Sequence, residues 1–397
     1  MLLPSTETEA ADTIRDHAQA SRALAIFGGN TRSGFGNRVK ADVSLSSRAI
    51  AGIVAYNPAE MVMTVKAGTP VAEVEAALSA ANQMMAFEPM DHRAVMGTVG
   101  EPTIGGVFAA NVSGPRRFVA GAARDSLLGI RFINGQGEAI KAGGRVMKNV
   151  TGLDLVKLLA GSYGTLGFLT EVTFRVLPVP PAQTTLVIPG LEDEAATHAM
   201  AAAMATSVEV SGTAHLPESV TSRFLDGSLP DGAATVLRLE GLAASVKARS
   251  QKLQTILSGL GSSVFLSDDD SKTLWREIRD VTPYAAKLAK PLWRVSVPPS
   301  QGHKLVAALR LEAGIDAFYD WQGGLVWMQM EAQPEAELLR HYVKAVGGGH
   351  ATLIRSQVRE GITAFEPLSP VEAALSSRIK AKLDPTGIFN PGKMGIS

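Results

Sequence analysis

At 397 residues and 46% apolar content, the chain exceeds the usual size of one domain and can fill two hydrophobic cores. Its 38 lysines and arginines balance 38 aspartates and glutamates, so no net field draws it to nucleic acid or an anionic membrane. The absence of cysteine excludes disulfides, cysteine-ligated iron–sulfur clusters and a cysteine-linked cofactor.

Met1 to Ala20 lacks the basic and apolar regions of a secretory signal and reads as a helix. Thr6 and Glu9 are spaced as a capping box, and Ala10, Ile14 and Ala18 recur at helical spacing. Leu24 to Phe27 is a strand that enters a first glycine loop, Gly28-Gly29-Asn30-Thr31. Met61 to Val65 is another strand, followed by a helix with Thr69 as N-cap and Pro70 at its first position. A second glycine segment runs from Thr103-Ile104-Gly105-Gly106 to Asn111-Val112-Ser113-Gly114, and Phe132 to Glu138 has the turn chemistry of a hairpin. A third, Gly161-Ser162-Tyr163-Gly164-Thr165-Leu166-Gly167, leads into a strand from Phe168 to Val176. The prolines of Leu177-Pro178-Val179-Pro180-Pro181 stop both helix and central strand and set a domain boundary.

Beyond it the order β-α-β-β-α-β occurs twice. The first copy is Leu186 to Ile188, a helix from Glu192 to Ala205, Gly212 to Leu216, Ala234 to Leu239, a helix from Ala243 to Leu257 and Val264 to Leu266. The second is Trp293 to Val297, a helix from Gln301 to Leu311, Ala317 to Trp321, Leu325 to Met330, a helix from Glu335 to Val346 and Ala351 to Ile354. An antiparallel sheet with helices on one face follows from this order. A helix from Val371 to Leu383 and a turn-rich tail close the chain, and Ile388 and Phe389 favour docking of that tail on the body. No run of 18 apolar residues is present, so direct membrane insertion is not expected and a cytoplasmic protein is.

The glycine loops place backbone N–H groups, free of side chains, at the ends of regular elements, where they can meet phosphates. No G-x-x-x-x-G-K-[ST] is present, and Gly259-Leu260-Gly261 stands between a helix and a strand, the wrong order for a dinucleotide-binding Rossmann turn. Neither ATP nor a Rossmann-held NAD fits. A diphosphate held by backbone donors and by Asn30, Thr31 and Thr103 does.

These loops, in order with Val65-Lys66-Ala67-Gly68, Lys148 to Leu155 and Phe389-Asn390-Pro391-Gly392, resemble the vanillyl-alcohol oxidase / p-cresol methylhydroxylase family of FAD proteins. Pro291 to Ser296, Asp320 to Gly324 and Gly348 to Thr352 narrow the likeness to the flavoprotein subunits of glycolate-oxidising complexes. The resemblance implies an α+β protein: an FAD-binding domain of the p-cresol methylhydroxylase type over 1–180 with two α/β subdomains, and an α+β cap over 181–366 with ferredoxin-like halves. Residues 367–397 would return to the first domain. It also implies noncovalent FAD on Gly28, Gly29, Asn30, Thr31, Thr103, Gly105, Gly106, Gly164, Thr165, Gly167, Phe168 and Asn390, with Asn390 near the flavin ring. The implied partners are a catalytic FAD subunit and an iron–sulfur subunit, with peripheral membrane attachment through them.

Oxidation of a 2-hydroxy acid needs a cation for the carboxylate and a base for the hydroxyl proton. Arg294 and Arg355, on predicted strands, are candidates to grip the carboxylate, His350 is a base candidate, and Tyr319 or Trp321 a pocket wall. The seven histidines show no metal-ligand spacing, and the histidine-rich metal site of related self-sufficient dehydrogenases is missing. A relay or structural subunit is therefore the first reading, and a self-sufficient FAD-dependent 2-hydroxy-acid dehydrogenase the alternative.

Overall fold

The computed structural model describes residues 1–41, 43–145 and 153–395, so Lys148 to Gly152 of the family-like segment lie outside the described residues. The opening helix spans Glu7–Gln19, and Thr6 accepts from the Glu9 N–H. The Glu9 carboxylate, however, turns to the N–H and hydroxyl of Ser5, so the reciprocal half of the expected capping box is made one residue earlier. β1 (Leu24–Phe27) and β2 (Val43–Ser46) pair in parallel.

Five strands build the first larger sheet. They are β3 (Ile53–Asn57), β4 (Val62–Lys66), β6 (Leu127–Ile133), β7 (Ala139–Gly143) and β8 (Phe168–Arg175), in the order β3-β4-β8-β6-β7 and all antiparallel. A two-residue pair, β5 (Gln83–Met84) with β9 (Leu177–Pro178), lies apart from it. The turn between β6 and β7 is closed by Asn134, whose side-chain oxygen accepts from Gln136 and Glu138. After β4 the helix Val71–Ser79 begins one residue later than expected. Pro70 takes the N-cap position, because the Thr69 hydroxyl is committed to the Lys66 carbonyl and to the Gly52 N–H.

The second half is a single eight-stranded sheet. β10 (Ala182–Pro189), β11 (Gly212–Leu216), β12 (Ala234–Gly241) and β13 (Val264–Leu266) form one β-α-β-β-α-β unit. β14 (Leu292–Ser296), β15 (Ile315–Asp320), β16 (Leu325–Met330) and β17 (His350–Arg355) form the other. The order β13-β10-β12-β11-β15-β16-β14-β17 joins the two units edge to edge, with His215 opposite Tyr319 at the seam.

Helices do not keep to one face of this sheet. Leu186 and Ile188 of β10 join the core under Asp193–Met204 and Ala243–Ile256. Val187, pointing the other way, joins Leu274, Trp275 and Ile278 of a helix that sequence reasoning missed, Asp268–Asp280. That opposite face, with Leu292, Phe318 and Trp327, shares one continuous core with the first half through Val65, Phe108 and Phe174. A sheet buried on both faces reads as near-continuous apolar strands, as β16 does. Buried charge crosses the same boundary: Glu88 accepts from Arg238 at 2.9 Å, and Arg116 donates to Glu240 at 2.6 Å.

The last helix, Pro370–Leu383, starts with a full capping box from Ser369 and Glu372. Its one buried residue, Lys380, donates to Asp384 at 2.6 Å and to the carbonyls of Thr165 and Phe389. The tail then runs beside β1, with Leu24 N–H on Ile388 O and Asn390 N–H on Leu24 O.

Candidate functional site

Two cavities meet where the halves face each other. The first, of about 440 Å³, lies along β1, the loop after it and the start of the helix Ile104–Ala109. Of the expected cofactor residues, all but Thr165 line it. Thr165 turns its hydroxyl to the Ser162 carbonyl and shapes the third glycine loop from behind.

Gly28 and Gly29 are needed for close packing of the chain on itself. A Cβ on Gly28 would lie 2.0 Å from the Thr103 hydroxyl, and one on Gly29 would lie 1.7 Å from the Glu101 carbonyl oxygen. Neither has a positive φ, which falls instead to Asn30 at 59°. The Asn390 side chain is a staple: its oxygen accepts from Ile26 N–H at 2.7 Å and its amide donates to Tyr163 O at 2.8 Å. It thereby ties the tail to β1 and to the third loop.

The chemistry of this lining suits FAD. It is apolar along Ala25, Ile26, Phe168 and Leu169, and among the described residues it includes the cations Arg32, Arg38, Arg359 and Lys393 without a single carboxylate. Burial holds the Lys393 ammonium down to about 8, with Arg359 adding repulsion. An anion such as a diphosphate supplies the charge these groups lack. Gly28 to Thr31, Thr103, Gly105, Gly106, Arg359 and Lys393 line the cavity where they could hold it.

The second cavity, of about 410 Å³, opens between the halves and shares Arg32, Phe35, Ala110 and Tyr163 with the first. Arg294 on β14 and His350 at the start of β17 reach it, with His350 exposed at its mouth. Arg355 does not. Its guanidinium donates to the carbonyls of Lys290, Val95, Tyr284 and Lys287, which makes it a clamp on two loops. Tyr319 is also elsewhere, its hydroxyl on Asp193 at 2.6 Å. Trp321 lies beneath the site: Arg117 and Arg294 stand 4.6 and 4.9 Å from its ring centroid, and its indole N–H donates to Gly114 O.

Sequence reasoning did not single out Arg32, His92, Arg117 or Tyr163 for this cavity, yet all four line it. Among the described residues, Arg117 and Arg294 form no salt bridge and feel only the more distant charges of Asp125 and Asp320, and the hydrogen bonds of Arg32 go to the Gly106 carbonyl and to His92. Burial lowers Arg32 to about 10, and burial with repulsion from Arg117 does the same to Arg294. His92 falls to about 3, through burial first and Arg32 second, and is neutral at any ordinary pH. Burial raises the Tyr163 phenol, while Arg294 and Arg32 pull it back. The Tyr163 ring stacks on Phe35, with centroids 5.4 Å apart, and the backbone there is left-handed at φ 52°. Among the described residues, no group of three or more His, Asp or Glu side chains is placed to hold a metal ion.

This is the architecture of the p-cresol methylhydroxylase-type flavoproteins. The fold matches p-cresol methylhydroxylase with substrate bound at a TM-score of 0.73, over 100% of this chain and 88% of that one, at 13% identity. It matches an alkyldihydroxyacetonephosphate synthase at 0.69, over 98% and 75%, at 17% identity. An FAD binding domain model matches residues 1–143, and the FAD linked oxidases C-terminal domain matches residues 365–394. The glycolate oxidase subunit GlcE of Escherichia coli (strain K12) is 33% identical over 371 residues, which are 94% of this chain and 92% of that protein. The glycolate oxidase subunit GlcD of Bacillus subtilis (strain 168) is 26% identical over 332 residues, 74% and 68% of the two chains. The chain belongs to the FAD-linked oxidase family, in the group that includes GlcE.

Proposed function

We propose that the chain is the FAD-binding subunit of a glycolate oxidase assembly and takes part in the oxidation of glycolate to glyoxylate. The likeness to GlcE along almost the whole chain supports the assignment, and the continuity of the two cavities at Arg32 and Tyr163 carries the chemistry. When bound, the flavin supplies the two-electron acceptor for the hydride on the hydroxyl-bearing carbon. Arg294, Arg32 and Arg117 bind the carboxylate and orient that carbon. Tyr163, between the fields of Arg32 and Arg294, donates a hydrogen bond to the acid, and Phe35 and Phe365 beside it exclude water. His350 takes the hydroxyl proton, because burial and the Arg32 charge leave His92 too weak a base for it.

In this reading the electrons leave through a catalytic FAD subunit and an iron–sulfur subunit, since the chain has no cysteine for a cluster of its own. No helix among the described residues is long and apolar enough to cross a membrane, and any attachment runs through those partners. A second reading, a dehydrogenase that works alone, is favoured by one observation: both cavities are built within a single chain. Anaerobic mixing of the flavin-loaded chain with glycolate separates them. Bleaching by the lone chain selects the second reading, and bleaching only with partners present selects the first.

A further inference from the structure

Trp321 lies beneath the second cavity rather than in its wall, yet it touches two of the arginines that line it. Arg117, from the first half of the chain, stands 4.6 Å from the ring centroid, and Arg294, from the second half, stands 4.9 Å from it. The two guanidiniums are close enough to repel each other, and among the described residues neither forms a salt bridge. A carboxylate beneath them would occupy the donors that a bound acid needs. An aromatic face attracts a guanidinium without neutralising it and leaves its N–H groups free.

The backbone that sets the ring is strained. Trp321 and Gln322 both have left-handed φ, 51° and 62°, in the turn after β15, and for a bulky residue that is an outlier. Three bonds impose it. The Asp320 carboxylate accepts from Trp321 N–H at 2.7 Å, the Thr213 hydroxyl from Gln322 N–H at 3.1 Å, and Trp321 O from Gly324 N–H at 3.0 Å. The indole N–H crosses to the first half and donates to Gly114 O at 3.1 Å, in the segment that carries Arg117. Backbone strain persists only where the surroundings over-determine it, and it clusters at functional sites.

We propose that Trp321 is a positioning residue of the cavity: its ring, set by the left-handed turn and by Gly114, orients Arg117 and Arg294 towards one carboxylate while leaving their N–H donors free. This role rests on the reading of the cavity as a 2-hydroxy-acid site. Trp321 acts on the acid only through the two arginines, and because one comes from each half, the ring also ties acid binding to the fit of the halves.

The test is anaerobic glycolate titration of the flavin-loaded chain, followed by flavin absorbance, for the parent, Trp321→Met and Trp321→Phe, each alone and combined with Arg294→Met. Trp321→Met removes the aromatic face and is expected to raise half-saturation about tenfold, whereas Trp321→Phe, which keeps a ring but not the bond to Gly114, raises it about threefold. The limiting absorbance change and the flavin-to-protein ratio stay those of the parent. With Arg294→Met already present, Trp321→Met is expected to cost no more than about threefold, because one of the two cations it orients is gone. A merely structural role weakens binding alike in both backgrounds. Equal losses in the two backgrounds, parental half-saturation in Trp321→Met, or Trp321→Phe as weak as Trp321→Met overturns the positioning role and leaves the 2-hydroxy-acid reading standing. No response to glycolate from a parent chain that retains flavin, with and without partner subunits, overturns both. Where Trp321→Met does not fold, Trp321→Leu takes its place in the same comparison.

Discussion

Replacing Arg294 and Arg355 in turn by methionine separates the binding arginine from the structural one. Among the described residues, Arg294 makes no hydrogen bond and has a cation–π contact with Trp321 at 4.9 Å, which is worth about 0.5–2 kcal/mol. Removing a buried charge that has no acidic partner relieves a desolvation cost of similar size, so the stability of Arg294→Met stays within about 1 kcal/mol of the parent. The loss falls on the ligand: a charge-assisted hydrogen bond is worth about 1.5–3 kcal/mol, or roughly a 10- to 150-fold weaker affinity. Arg355→Met does the reverse. It strips donors from the carbonyls of Lys290, Val95, Tyr284 and Lys287, and each buried carbonyl left alone costs about 1–3 kcal/mol. Urea unfolding and anaerobic glycolate titration of both flavin-loaded variants read the two quantities. Unchanged half-saturation in Arg294→Met, or weakened glycolate binding by an equally stable Arg355→Met, refutes the assignment of roles.

Gly29→Ala places a Cβ on the Glu101 carbonyl, so the first loop must move, and the flavin-to-protein ratio after purification is expected to fall well below that of the parent. Lys380→Met leaves Asp384 buried without its cation and frees the tail; a loss of about 3–5 kcal/mol in stability and weaker FAD retention are expected from denaturation and flavin release. Asp320 has its pKa raised to about 7 by burial, against an ordinary value near 3.8, so ionisation opposes folding increasingly as pH rises from about 4 to 7. Asp320→Asn, which keeps the acceptor for Trp321 N–H, is therefore expected to stabilise the protein at pH 8 and to do little at pH 4; equal effects at both contradict this. Glu88 acts in the opposite sense. Arg238 and Arg116 overcome its burial and hold it at about 2, so its contribution is full above about 4.5 and lost as pH falls towards 2, read as a fall in melting temperature that Glu88→Gln does not show.

The cavity along the glycine loops was legible because three such loops, in order and each at the end of a regular element, bring side-chain-free backbone to one place, although Gly28 and Gly29 also serve close packing. The ferredoxin-like halves were legible too, since strand and helix periods alternate cleanly from Ala182 to Arg355. The arginine pocket was not. Arg32, Arg117 and Arg294 are brought together from distant parts of the chain, and nothing local marks an arginine as lacking a partner. Arg355 sits on a strand much as Arg294 does, and only the approach of the loops holding Val95 and Tyr284 makes it a clamp. Tyr163 stood in the sequence only as one residue of the third glycine loop, whereas its ring stands at the junction of both cavities. The helix Asp268–Asp280 had a visible start in Ser267, whose hydroxyl accepts from Asp270 N–H, but its run of acidic residues masked the apolar stripe of Leu274, Trp275 and Ile278.

The most direct test is the visible spectrum of the purified, flavin-reconstituted chain before and after anaerobic addition of a 2-hydroxy acid. The account predicts stoichiometric FAD whose absorbance is perturbed or bleached by the acid, with that response lost in Arg294→Met. A chain that takes up no flavin, or a bound flavin indifferent to every 2-hydroxy acid with and without partner subunits, contradicts it.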